Sequence, residues 1–321
     1  MYDKVYIGTS IPMLFYIYLN LNNDENILIL NKENYYGGSW FTISNNYCSD
    51  FDTAGHFIVI RNKEKYNKII NIFNELNIEL EYQNAEILNP NYNFIYDSYI
   101  FYPKNGWDKL TKSLINKIDI HNILFEKEVI DINIENNVEI KIKTDHGIES
   151  IITKKVIIPS YIKLDNIKSK NDIIDLEYEL CNTYHVIFYC KIENNFKYNN
   201  SFHGFYEGNL IFDRLTCICN KDKMKNINNV NQLLIFRVSR IYKDKILKMD
   251  NKEIIENFYK FIDKKNIKFE NLLVKDIDIF NYPFYYRQDN IKALIEKLTV
   301  FGDKIKLINT TDLGLLIESL I

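Results

Sequence analysis

Two short glycine turns carry residues whose types and spacing suit phosphate chemistry. The first follows Val5-Tyr6-Ile7, an apolar run that ends on Gly8 and continues as Thr9-Ser10-Ile11-Pro12-Met13. A strand that turns on a glycine into a helix aims backbone N–H groups and the positive helix end at an anion. The second is the pair Gly37-Gly38 within Tyr35-Tyr36-Gly37-Gly38-Ser39-Trp40. A paired glycine lets a second stretch of backbone approach the same phosphates. The elements between the turns fit that task. Residues 11–21 are apolar enough for a buried helix, and Ile27-Leu28-Ile29-Leu30 for a buried strand. Strand, turn, helix and strand together are the opening βαβ unit of a dinucleotide-binding domain.

Composition bounds the rest. A chain of 321 residues is long enough for two domains, or one large domain with an inserted lobe. Its 46% hydrophobic and 26% charged residues are ordinary for a soluble globular protein, and a net charge of −3 offers no nucleic-acid or acidic-membrane footprint. The five cysteines, Cys48, Cys181, Cys190, Cys217 and Cys219, are odd in number and scattered, which fits a reducing compartment. Cys217 and Cys219 have the spacing of two residues on one strand face, with only His203 loosely near, so buried strand cysteines are expected rather than a metal pair. The run 11–21 is too short to span a bilayer, and Asp3, Lys4 and Asn22-Asn23-Asp24-Glu25 are wrong flanks for a signal peptide. A cytoplasmic protein is expected, with no stable membrane insertion.

Along the chain, residues 49–60 read as extended around Gly55-His56, and Lys63 to Leu80 has helical apolar spacing at Ile69, Ile70, Ile72, Phe73 and Leu76. Residues 81–102 alternate aromatic and polar, as strand and turn. A helix is predicted over 107–118, a hairpin over 125–134 and 138–143, and strands over 148–152 and 156–158 ending at Pro159. From about 166 the pattern changes, with strands at 183–193, 202–219 and 232–241, a helix at 252–262 and a strand near 273–280. Tyr282-Pro283 is expected to open a linker before a helix at 290–298, a strand at 305–308 and a last helix at 313–321. The fold class is therefore α/β: a Rossmann-like nucleotide domain from 1–60, 100–165 and 285–321, with an inserted α+β lobe from 61–99 and 166–284.

At this point the residues resemble the FAD-dependent enzymes of the amine oxidase, protoporphyrinogen oxidase and UDP-galactopyranose mutase type. Gly8-Thr9-Ser10-Ile11-Pro12-Met13 keeps the first glycine of their Gly-x-Gly-x-x-Gly turn, and Tyr36-Gly37-Gly38-Ser39-Trp40 keeps their second motif. Asp52-Thr53-Ala54-Gly55-His56-Phe57 is similar to a segment near the flavin, and Tyr102-Pro103-Lys104-Asn105-Gly106-Trp107 to their Tyr-Pro-x-Gly-Gly stretch. Glu128-Val129-Ile130-Asp131-Ile132 resembles the strand whose valine backbone contacts adenine. Lys155-Val156-Ile157-Ile158-Pro159-Ser160 resembles the strand that returns to the nucleotide domain, and Asn309-Thr310-Thr311-Asp312 the carboxy-terminal flavin motif. The resemblance spans the whole chain. It implies FAD as cofactor and a small-molecule substrate. It puts cofactor contacts at Gly8, Ser10, Ile11, Asn31, Lys32, Gly37, Gly38, Ser39, Trp40, Gly55, His56, Val129, Thr311 and Asp312. Catalytic roles fall to His56 and to Arg214, in Ile211-Phe212-Asp213-Arg214-Leu215.

The departures have physical content. Ser10 replaces the glycine that faces the pyrophosphate, where its hydroxyl can donate to a phosphate oxygen. Met13 replaces the glycine that lets helix and strand pack closely, so the helix must move outward or the side chain must find a gap. Asn31 replaces the acid that accepts from the ribose; its amide oxygen still accepts, at a loss of about 1–2 kcal/mol for exchanging a charged for a neutral acceptor. Several chemistries share this frame. Oxidases of the family pass a substrate hydride to flavin N5. Mutases use reduced flavin on a sugar with arginine clamps, but the mutase arginine position is Asp303 here, leaving Arg237, Arg240 and Arg287 as substitutes. Degenerate glycines also resemble Rab escort proteins and Rab GDP-dissociation inhibitors, binding proteins of this fold that carry no functional flavin.

Overall fold

The structure, a computed structural model, describes residues 1–38, 40, 42–49, 51–52, 56–82, 84–87, 99–160, 162, 164, 166–176, 179–193, 201–204, 210–218, 224–225, 227–286, 291–310 and 312–321. Its centre is a parallel arrangement of short apolar strands. Strand β1 (Tyr2–Ile7) lies between β2 (Ile27–Leu30) and the long strand Gly147–Pro159, parallel to both. Ile123–Leu124 extends the sheet beyond β2, and Ile305–Ile308 beyond residues 156–159, again in parallel.

Burial on both faces explains why these strands read as unbroken apolar runs. Tyr6, Ile27, Ile29, Ile157 and Ile308 point to one side and join helix α1 (Ile11–Leu19) in a single core. Helices Gly106–Ile118 and Leu313–Leu320 flank α1 there. Val5, Ile7, Leu28, Leu30, Val156 and Ile158 point to the other side, against Leu294, Leu298 and the strands Glu128–Ile134 and Val138–Thr144. The predicted hairpin forms from those two strands, and the stretches 148–152 and 156–158 are one continuous strand, Gly147–Pro159. Helix α1 turns seven side chains inward, Met13 included at 0% exposure. Methionine therefore finds its gap: it packs into the core of Phe15, Phe73 and Trp107.

Other elements are redrawn: the run expected as one strand over 202–219 is two antiparallel strands, Ser201–Gly204 and Phe212–Ile218, and the strand expected over 232–241 ends at Val238 before a 3₁₀ turn, Arg240–Tyr242. The helical pattern from Lys63 becomes a 3₁₀ turn, Lys63–Lys65, and an α-helix, Tyr66–Glu75, whose Phe73 meets Phe15 of α1. Asn166–Ser169 and Ile173–Asp175 pair into the first sheet through Glu128–Ile134, although the expected boundary falls at 165. Tyr282-Pro283 opens no linker, since both lie inside the strand Leu273–Tyr286, paired with Thr183 and Asn182. Proline is tolerated because that strand is the edge of its sheet. The aromatic stretch 88–98 and Cys219 lie outside the described residues.

The second lobe is a six-stranded sheet in the order Leu273–Tyr286, Glu179–Lys191, Gln232–Val238, Phe212–Ile218, Ser201–Gly204, Asn84–Ile87. One face packs Phe188, Phe212 and Phe236 on Phe258 and Phe261 of helix Asn251–Lys264. The other face packs Ile187, Tyr189, Leu233 and Ile235 on Cys48 and Phe51, which come from the chain between the two glycine turns and His56. No described helix is long and apolar enough to cross a membrane.

The carboxy-terminal helix is held to this frame at one point of very close approach. A Cβ on Gly314 would sit 1.9 Å from the carbonyl oxygen of Val59, in strand Ile58–Ile60. Gly314→Ala must therefore displace the helix or the strand, and overpacking of this kind costs about 1–3 kcal/mol. The midpoint of urea unfolding should fall accordingly with an unchanged slope. An unmoved midpoint would mean the helix does not rest on Val59.

Candidate functional site

The two glycine turns are docked onto one another. Gly8 (φ +89°) ends β1 and donates its N–H to Leu30 O at 2.7 Å, closing the turn against β2. Ser10 starts α1: its carbonyl accepts from Leu14 N at 2.9 Å, while its hydroxyl makes no capping bond. Gly37 (φ +97°) donates to Thr9 O at 2.8 Å, and Ser10 and Gly37 form a parallel bridge. Gly38 (φ +63°) lies so close that a Cβ there would sit 3.3 Å from Ser10 Cβ. Both positions need glycine for their left-handed backbone. Thr9 is 2% exposed, and its Oγ1 has no hydrogen-bond partner among the described residues. A buried hydroxyl without a partner is costly, and here it lies at the start of a helix between two glycine turns.

At the end of β2, Asn31 is 6% exposed and turned inward. Its Nδ2 donates to Glu33 O at 2.9 Å and to Tyr35 O at 2.6 Å, shaping the loop that delivers Gly37. Its backbone is tied to Leu124 and Lys127. An aspartate has no N–H to offer two carbonyls, so the amide is a requirement of this loop and more than a weakened acid. Lys32 pairs with Glu128 at 3.0 Å, and Val129 follows in the same strand, 6% exposed.

Asp52 and His56 form the most enclosed polar pair. The Asp52 side chain is fully buried; its Oδ2 accepts from His56 N at 2.5 Å, and its Oδ1 lies 3.3 Å from His56 Nδ1. A carboxylate oxygen facing Nδ1 suits the tautomer with its proton there, which keeps Nε2 for another group. The ring stacks on Trp40 (4.2 Å, 14°), which meets Trp107 edge-on at 4.6 Å. Tyr102 packs edge-on against Trp107, and burial first, then the charge of Asp52, holds its phenol well above the usual range.

The carboxy-terminal motif is built differently from the expectation. Asp312 caps helix Leu313–Leu320 by accepting from Leu315 N at 3.0 Å, and its second oxygen accepts from Arg61 Nη2 at 2.9 Å. Arg61 had no signal in the sequence, standing 251 positions away. Thr310 is fixed through Ser160, whose Oγ accepts from Thr310 N at 3.1 Å.

Of the expected site residues, Gly8, Ser10, Ile11, Gly37 and Gly38 come together at the docked turns, and Trp40 and His56 stack on one another. Asn31, Lys32 and Val129 gather at the end of β2. Asp312 is engaged by Arg61. Ser39, Gly55 and Thr311 lie outside the described residues. Arg214 stands on the second sheet, with Nη2 3.5 Å from His185 Nε2. Asp303 lines a groove with Asp3 and Lys4 at the start of β1, the opposite end from Gly8. Among the described residues no group of three or more His, Cys, Asp or Glu is placed to hold a metal. Thr9 was missed because a threonine in a turn carries no local signal of being buried.

The phosphate end of this site fits a dinucleotide: a helix start, two stretches of glycine backbone beside it, and a buried hydroxyl with no partner among the described residues. The ribose end fits less fully, since Asn31 has only its amide oxygen left.

The sequence matches no protein-family model and no curated protein. Solved structures are similar to it in fold. A reduced UDP-galactopyranose mutase aligns with a TM-score of 0.67 at 12% identity, over 95% of this chain and 88% of that one. A provisionally assigned protoporphyrinogen oxidase from Exiguobacterium sp. 255-15 gives 0.63 at 12% identity, over 100% and 98%. A Rab GDI from Plasmodium falciparum gives 0.59 at 11% identity, over 99% and 95%. The chain has the α/β fold of the flavoproteins of the amine oxidase, protoporphyrinogen oxidase and UDP-galactopyranose mutase type.

Proposed function

We propose that the protein is an FAD-dependent oxidoreductase that takes a hydride from a small or sugar-nucleotide-like substrate. The observation that carries this reading is the docking of Gly37 and Gly38 onto Thr9 and Ser10 around a buried, unpartnered hydroxyl. When bound, FAD supplies the hydride acceptor, the chemistry that side chains lack. The chain's own part is to bind and position. Ile11 and Gly38 offer backbone to the diphosphate, Gly8 and Gly37 shape the two turns around it, and the Thr9 and Ser10 hydroxyls donate to its oxygens. Asn31 Oδ1 accepts from the ribose, with Lys32 and Val129 beside it and Asp312 at the far helix start. His56 holds its Nδ1 proton against Asp52, is kept flat by Trp40, and presents Nε2 to the reacting groups. The substrate lies under the inner face of the second sheet, where Arg214 stands.

A mutase reading is weaker, because Asp303, the position matched to the mutase arginine, lines a groove at the far end of the sheet from Gly8. A flavin-free binding protein is favoured by one observation, the inward commitment of the Asn31 amide. The colour of the purified protein separates the two: absorbance in the flavin bands, or its appearance on adding FAD, supports the enzyme, and a chain that takes up no FAD overturns it.

Two variants probe the site. Gly38→Asp puts a side chain against Ser10 and a negative charge beside the diphosphate, and like charges in contact cost several kcal/mol. FAD affinity should fall about a hundredfold or more, measured by flavin fluorescence titration, with folding checked by thermal melt. Stoichiometric FAD in that variant would contradict the assignment. Asn31→Asp should lower stability by about 1–3 kcal/mol without tightening FAD, because two carbonyls lose their donors. Tighter FAD binding at an unchanged melting temperature would show that the amide serves the ribose and not the loop.

A further inference from the structure

Only one asparagine in the chain is followed by glycine: Asn105, ahead of Gly106. The pair joins the strand Tyr99–Pro103 to the helix Gly106–Ile118. In such a pair the glycine nitrogen can attack the side-chain amide carbon of the asparagine, and glycine has no Cβ to shield that nitrogen. Three observations leave this pair open to the reaction. Asn105 is exposed, and its side chain makes no capping bond to the helix. Gly106 is the first helical residue, where an N–H has no partner within the helix. The positive end of a helix of 13 residues favours the negative charge that develops as the nitrogen loses its proton.

The residue that follows makes the position matter. Trp107 is fully buried and lies edge-on to Trp40 at 4.6 Å, and Trp40 carries the flat His56 ring. The Trp107 carbonyl accepts from Thr111 Oγ1 at 2.8 Å, and a Cβ on Gly37 would sit 3.6 Å from that same hydroxyl oxygen. The start of this helix therefore braces both the second glycine turn and the Trp40–His56 stack.

We propose that Asn105 is a site of spontaneous deamidation, and that the isoaspartate formed there shifts Trp107 against Trp40. In the first step Gly106 N bonds to Asn105 Cγ, and the side-chain nitrogen leaves as ammonia with the proton that Gly106 N gives up. Water then opens the cyclic imide at one of its two C–N bonds. Opening at Cγ gives aspartate; opening at the main-chain carbonyl gives isoaspartate, whose main chain is longer by one methylene. One amide and one water become one acid and one ammonia, and nothing is oxidised or reduced. Aspartate suits this position, since a carboxylate accepts from the N–H groups of a helix start. The extra methylene of isoaspartate does not suit it, because it enters the chain two residues before a tryptophan in a close-packed core. The reaction needs only this chain and water, so it stands whether or not FAD binds.

Ageing the folded protein in mildly alkaline buffer tests it, followed by peptide mass spectrometry and isoaspartyl methyltransferase labelling. Asn105 should convert about tenfold or more faster than any other asparagine, the ratio that about 1.4 kcal/mol in the barrier gives. Tryptophan emission should change in step. Trp40 and Trp107 are the two tryptophans of the chain, so the signal reads their contact. Asn105→Gln should stop both the conversion and the emission change, since its longer side chain must close a larger ring; Asn105→Ser takes its place if that variant does not fold. Freshly purified Asn105→Asp should keep the native emission, which separates the added charge from the added methylene. A folded protein in which Asn105 converts no faster than the other asparagines overturns the proposal. So does emission that stays constant while isoaspartate accumulates.

Discussion

The contact on which the rest of the site depends is one backbone hydrogen bond, from Gly37 N to Thr9 O. It joins the turn after β1 to the turn after β2, so two stretches of glycine backbone converge on the start of one helix. Everything nearby serves that bond. Gly8 is locked to Leu30, which sets where Thr9 begins. Asn31 gathers the carbonyls of Glu33 and Tyr35, which sets where Gly37 arrives. Trp40, just past the second turn, is stacked by His56, so the same loop also aligns the Asp52–His56 pair. Phosphate end and imidazole are thus two ends of one short, strongly constrained segment.

This explains which parts were legible in the sequence. The βαβ opening was, because strands buried on both faces need continuous apolar runs and positive-φ turns need glycine. Local chemistry of that kind is written residue by residue. Asn31 was visible as a departure from an acid, but its two bonds to loop carbonyls exist only once the loop has closed. Pro283 reads as a break in isolation; the strand accommodates it because it lies at a sheet edge, which pairing order decides and periodicity does not. Arg61 with Asp312, and Arg214 with Arg237 and His185, are set by tertiary packing and cross-strand register. No spacing rule reaches them. Arg214 was singled out by resemblance and Arg237 only as a substitute for the mutase arginine, while His185 carried no signal.

The lobes are joined by the same segment that carries the site. Asn45 turns the chain by accepting from Tyr47 N and Cys48 N, and its Nδ2 donates to Tyr189 OH at 2.5 Å. Tyr189 donates onward to Asp278 at 2.6 Å, and Tyr47 to Asp276 at 2.9 Å, so two carboxylates of the second sheet's edge strand receive the loop. Burial, then the Asp278 hydrogen bond, pushes the Tyr189 phenol far above its ordinary range, so it stays a donor at any working pH. A displacement of the second sheet would therefore be felt at residues 45–52 first, and at His56 next.

Fold alone does not choose a chemistry on this frame, since structures as different in name as a galactopyranose mutase and a Rab GDI align with the whole chain. What distinguishes one member from another is the set of polar groups kept inside at a penalty. The fully buried Asp52 carboxylate held against His56 is one such group, and the guanidinium of Arg237, paired with Asp213 and set opposite Arg214, is another. Apolar replacements of similar volume at such places are often neutral or stabilising. Asp52 is held against His56 in the nucleotide lobe, while Arg214 and Arg237 stand paired across neighbouring strands of the second sheet, so each lobe carries its own polar pair.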